Sequence, residues 1–216
     1  MASHVHRQTY NAQLGIGARL ALHDQRLGGL LLFALAAQFM TVIMLAASIA
    51  PDYDFAEAAI SDLGVMPETA PLFNVSLIAV GLLNILGGYI FFRSHRRMWV
   101  FILFALAGVG AIGAGIFPLN SSELHSLFAL AAFLFFNLEA IASGSVLRGS
   151  MKLISLVAGV LGIAFVVLMI AGDSGNASAF GAIGHGGTER MIVYPVMLWM
   201  LAFGGYLMGT APQTKA

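Results

Sequence analysis

Six residues able to do acid–base or ligand chemistry lie near the ends of long apolar runs: Ser61, Asp62, His125, His185, Glu189 and Arg190. A serine beside a carboxylate, with histidines elsewhere, is the set of side chains that hydrolysis uses as nucleophile, base and orienter. Histidine and carboxylates are also the only strong metal ligands present, because the chain has no cysteine. These residues alone leave both a metal and a cofactor unspecified. Three further polar residues, Asn84, Asn137 and Glu139, fall within apolar runs. Charged groups at membrane depth are costly and turn toward other helices. They suit either a structural bond or a proton or cation relay.

The local sequence suggests how each group is held. In PDYDFAEAAISDLGVMPETAP, Asp54 followed by Glu57 resembles a capping box. Phe55, Ala59 and Leu63 share one helical face, Gly64 suits a helix end and Pro67 stops continuation. The expectation is a short interfacial helix over 55–63, with Ser61 and Asp62 near its end and off the apolar face. In GIFPLNSSELHS, Pro118 ends one run, Ser121 or Ser122 can cap the next helix, and His125 lies in that helix's first turn. As a boundary residue, His125 suits hydrogen bonding, ligand binding or catalysis. In DSGNASAFGAIGHGGTERMIVYP, small residues allow close backbone approach. Thr188 can cap the last run. His185 and Glu189 are four apart and would stack on one helix face, but Gly186 and Gly187 weaken a continuous helix between them. For Glu189 and Arg190 the plain alternative is pairing with each other, or with Asp62, to settle charge at the boundary. Asn120 and Asn176 match the glycosylation triplet, a pattern common by chance.

The elements that must position these groups follow from composition. Of 216 residues, 59% are hydrophobic and 9% charged, where a soluble domain carries about a quarter charged; mean hydropathy is +0.90. The net charge is zero, which gives no basic footprint for nucleic acid. A spanning helix needs about 20 apolar residues. Runs at about 29–50, 71–92, 98–117, 123–147, 153–171 and 191–209 satisfy this. They lack the two-residue alternation of a membrane barrel. The fold expected is all-α: a six-helix transmembrane bundle over 29–210 with the short outer interfacial helix, a cytoplasmic tail at 1–28 and another at 211–216. Residues 1–28 do not read as a secretory signal, since a long polar leader precedes the first apolar run; residues 14–22 are weakly amphipathic.

Orientation comes from Lys and Arg, which cytoplasmic loops retain. With six spans, nine of the ten basic residues fall on one face, and only Arg190 falls on the other. The reading is a cell-membrane protein with both termini cytoplasmic. The long loops 51–70 and 172–190 are then both outside, where function tends to sit. Both the second and fourth spans run inward. Glu139 lies about 24 Å along from Glu123 and Asn84 about 20 Å from Pro71, so the two reach similar depth. Asn74 and Ser76 could join the outer polar cluster.

Three stretches in order, YDFAEAAISDLG with FNVSLIAVGLL, GIFP with LHSLFALAAF, and GTERMIVYPVMLW, resemble the small membrane proteins catalogued as domain of unknown function 998. The resemblance covers about 29–209. Its motifs fall on Ser61, Asp62, Gly64, Asn74, Gly115, Pro118, His125, Glu189 and Arg190. It implies an uncharacterised multi-pass membrane protein and brings no substrate or mechanism. The set of Ser, Asp and two His is also similar in kind to transmembrane hydrolases of the ceramidase and adiponectin-receptor type. Those carry His-x-x-x-His, where this chain has His185 and Glu189.

If the outer ends converge, the six residues form one polar pocket, and the partners expected are membrane lipids and a lipid-like or small-molecule ligand. The first functional expectation is an enzyme, or a former one, acting on or binding such a ligand. The alternatives are a small ion-coupled transporter using Glu139, for which no clear midspan proline is seen, and a non-catalytic component that binds a partner.

Overall fold

The computed structural model describes the backbone of residues 2–121 and 123–210, with side chains from residue 23 onward in those ranges. The expectations for residues 211–216, for Ser122 as a cap and for the amphipathic face of 14–22 lie outside what is described. Six long helices form: α1 (Ala2–Ile49), α2 (Ala70–His95), α3 (Met98–Ile116), α4 (Leu124–Ser143), α5 (Gly149–Asp173) and α6 (Gly184–Thr210). Each contains a stretch long and apolar enough to cross a membrane; in α1 it is His23–Ile49. Among the described residues there is no strand. Pro195 lies inside α6 without breaking it.

The helices form a closed ring. Each packs on its neighbours in sequence, α6 closes against α1, and α4 touches α6 across the ring. Closure depends on two glycines. A Cβ on Gly29 would stand 2.7 Å from the carbonyl of Gly204, and one on Gly204 would stand 2.6 Å from that of Gly29. Only hydrogen at both positions lets the two backbones meet, the small-residue contact expected between membrane helices. The core is filled by Leu32, Leu35, Phe104, Trp199 and Phe203, all within 1% of full burial. Leu82, Val109, Leu127, Val157, Val167 and Leu198 point outward and are exposed, as helices in hydrocarbon require.

One end of the ring carries short connections. α2 turns into α3 through Arg96, whose φ of 56° closes the helix in the left-handed region. Arg93 pairs with Asp24 at 3.1 Å, and Gln25 donates to the Thr210 hydroxyl at 3.0 Å. The opposite end, the loop end, carries residues 50–69, 117–121 and 174–183.

The helix expected over 55–63 is not what forms. Residues 55–57 are turns and residue 58 a bend, and only Ser61–Gly64 makes a single 3-10 turn. The backbone groups there bond elsewhere. The carbonyl of Ala56 accepts from the Gly186 amide at 2.8 Å and from that of Gly187 at 3.3 Å. Those of Phe55 and Ala58 accept from Arg190. The amides of Ala59 and Ile60 donate to the carboxylates of Asp62 and Glu189. Asp54 does accept from the Ala56 amide at 2.7 Å, as a turn rather than a helix cap. Asn74 then pins the loop's far end by donating to the Gly64 carbonyl at 2.9 Å.

Candidate functional site

The loop after α1 lies on the first turns of α6. Gly184, at φ 68°, and Gly186 are where they meet: a Cβ on Gly184 would collide with the Ala56 carbonyl, and one on Gly186 with that of Ala58. The close approach expected of these glycines is therefore to the loop. The loop carbonyl in turn satisfies amides of the α6 first turn, which otherwise lack partners. The helix consequently runs unbroken through Gly186 and Gly187, and His185 and Glu189 do stack on one face. Thr188 donates back to the Gly184 carbonyl at 2.9 Å rather than capping the helix from outside.

Glu189 and Arg190, adjacent in sequence, point to different tasks. Arg190 is 7% exposed. Its Nη1 donates to the carbonyls of Phe55 and Ala58, both at 2.9 Å, and its Nη2 to the Tyr53 hydroxyl at 2.6 Å. The guanidinium also lies over the rings of Phe55 and Tyr53, at 4.7 and 5.4 Å. It forms no ion pair with Asp62 or Glu189 of the kind expected from the sequence: among the described residues the close acid–base contacts are the Arg93–Asp24 ion pair and the approach of His185 to Asp173. The loop's carbonyls, in need of donors, take the guanidinium instead. Tyr53 donates to the Ala59 carbonyl at 2.7 Å. Burial pushes its hydroxyl up to about 12, against the opposing pull of Arg190. Glu189 accepts from the Ile60 amide at 2.7 Å, so it holds the start of the 3-10 turn.

A cavity of about 390 Å³ opens beside this clamp, and Ser61, Asp62, His125, His185 and Glu189 all line it. Arg190 does not. Five of the six boundary residues singled out in the sequence thus meet in one space, from three segments far apart in the chain. His125 is 4% exposed. Its Nδ1 lies 2.8 Å from the Phe117 carbonyl and 3.2 Å from that of Ala114, so this nitrogen is the N–H donor. Its Nε2 is buried and has no hydrogen-bond partner. The ring therefore presents an acceptor nitrogen on the side away from α3. The cavity's other flank is apolar, with Leu130, Phe133, Val166, Met169 and Ile170. Leu130 and Ile170 are exposed, so the space reaches the bundle surface between α4 and α5.

Asp173 and Ser126 also line the cavity, and neither was singled out from the sequence. Asp173 lies 3.3 Å from His185 Nε2. Its signal was an acid in the last turn of a helix, where the macrodipole opposes negative charge. Such a placement asks for a partner. Among the described residues, no three His, Asp or Glu side chains are grouped to hold a metal ion.

The polar residues within the spans lie elsewhere. Asn84 donates to Glu139 at 2.9 Å and to the Phe104 carbonyl at 3.0 Å, all in full burial. This is the depth match expected from the sequence. Glu139 Oε1, Asn84 Oδ1 and Ser143 Oγ have no hydrogen-bond partner. Asn137 donates to the carbonyls of Phe133 and Ile192. Ser76 pairs with Gln38 at 2.8 Å and so does not join the loop-end cluster. Gly115 admits the Asn74 carbonyl, 2.9 Å from where a Cβ would stand.

Six apolar helices in one ring define a multi-pass membrane protein. The chain belongs to the family described as protein of unknown function DUF998, which matches residues 33–206. No curated protein and no solved structure matches it.

Proposed function

We propose that this protein binds a lipid or lipid-like amphiphile, with the polar head in the loop-end cavity at the outer face of the cell membrane. The observation that carries this reading is the convergence of Ser61, Asp62, His125, His185 and Glu189 on one space that is polar on one flank and apolar on the other. The polar flank supplies three carboxylates, counting Asp173, against two histidines. Arg190, the only Lys or Arg at this end among the described residues, is held by loop carbonyls. A head that donates hydrogen bonds or carries positive charge suits this balance better than an anionic one. His125 Nε2 is the acceptor that such a head would satisfy. The carrier reading rests on Glu139, which lines neither this cavity nor the chamber beside it.

The test is native mass spectrometry of the protein extracted gently from its own membrane, compared with Asp173→Asn and His125→Ala variants. Wild type should retain a defined lipid, and both variants should retain less, Asp173→Asn while keeping its thermal transition. Equal retention by all three, or none by wild type, overturns the reading. Reporter fusions after residues 60, 120 and 180 should all report the outer side, and those after 95 and 150 the inner.

A further inference from the structure

The loop-end cavity backs onto a second space across α4 and α6. His125, Ala129 and Phe133, four apart on α4, line it together with Ser61, Glu189 and Ile192. The same six residues line a second cavity on the far side, of about 60 Å³. They are a seam between two spaces. The second space lies in the middle of the ring, walled by α1, α2, α3, α4 and α6. Past the seam its walls are hydrocarbon, among them Phe39, Leu77, Val80, Ala111 and Val196, with Asn137 as the one polar side chain.

Its volume would take roughly four water-sized spheres, but a water needs two to four polar partners, and past the seam only Asn137 offers any. A narrow hydrocarbon fits both the size and the lining; a second polar head does not. The seam is where a chain would meet a polar group. There His125, nearly fully buried, holds Nδ1 to α3 and leaves Nε2 without a partner.

We infer that the ligand is a single-chain amphiphile whose hydrocarbon end passes the α4–α6 seam into the central chamber, with its polar linkage stopping at His125. This rests on the lipid-binding reading above and adds to it where the tail goes. The outer apolar flank then guides the chain, and the chamber selects by length and width.

Two photoreactive analogues of lysophosphatidylcholine test this, one with the diazirine beside the head and one with it at the chain end, added to the protein in its own membrane. The head probe should label Ser126 or Asp173 saturably. The chain-end probe should label Val80, Ala111 or Val196. Ala111→Leu, which fills the chamber and touches only that cavity, should cut chain-end labelling there several-fold and leave head labelling unchanged. Chain-end labelling confined to lipid-facing Leu127 or Val167, with head labelling intact, overturns this inference alone. Absence of saturable head labelling overturns the binding reading and this inference with it.

Discussion

Replacing Arg190 with alanine should release the loop after α1 while leaving six spanning helices in place. The guanidinium makes hydrogen bonds at 2.9, 2.9 and 2.6 Å to three loop groups, and two aromatic rings cover it. Hydrogen bonds from a charged donor contribute about 1.5–3 kcal/mol each, and a cation over a ring about 0.5–1 kcal/mol. The straight sum overshoots, because the loop is half-exposed and its carbonyls regain water when it lifts. Removal should therefore cost about 3–5 kcal/mol, in the range for stripping one partner from a buried charged contact. For a chain of this length that lowers the melting temperature by about 6–20 °C. Arg190→Lys keeps the charge but lacks the fork that reaches three acceptors, so about half the loss should remain. The assay is thermal unfolding in mild detergent at one fixed scan rate, followed by tryptophan fluorescence, beside limited proteolysis of residues 51–60. A shift under about 2 °C in Arg190→Ala, with the loop still protease-resistant, would refute the clamp.

Other substitutions probe neighbouring contacts. Gly186→Ala should cost about 1–3 kcal/mol because its methyl meets the Ala58 carbonyl, whereas Gly205→Ala, with nothing within 4 Å, should gain up to about 1 kcal/mol; equal melting temperatures for the two would contradict the close approach. Glu139→Gln keeps an acceptor for Asn84 and should be nearly neutral, while Glu139→Ala strands a buried amide and opens a void, costing about 2–4 kcal/mol. A Gln variant as unstable as the Ala variant would show that the carboxyl itself is required. Tyr53 titrates at about 12 when folded and about 10 when unfolded. Its stabilising share is thus complete below about pH 10 and lost as pH rises toward 12. Melting curves of Tyr53→Phe should lack that alkaline decline, and parallel curves for the two proteins would dismiss it.

The six spans were legible because hydropathy is a local property, and a run of about 20 apolar residues has few other fates. The Glu139–Asn84 bond was legible because rise per residue converts sequence position into depth. So, too, was the meeting of Ser61, Asp62, His125, His185 and Glu189 at one end of the bundle, since polar groups at a membrane boundary seek one another. The loop after α1 was misread because its helical pattern is local while its hydrogen-bond partners are about 130 residues away on α6. Arg190 was misassigned for the same reason: sequence displays carboxylates as partners and hides carbonyls. The continuity of α6 through two glycines likewise depended on a carbonyl from Ala56 that no window around Gly186 contains.

The attachment of the first loop to the last helix has a consequence for biogenesis. Spans enter the membrane in chain order as they are synthesised, so the loop is made long before Gly184–Thr210 leaves the ribosome. Until then the carbonyls of Phe55, Ala56 and Ala58 have only water to bond, and Gly29 has no Gly204 to meet. A five-span fragment would therefore present an open ring and a loose loop to quality-control proteases. Arrival of the sixth span closes both at once, which makes the final helix the step that commits the chain to its mature form.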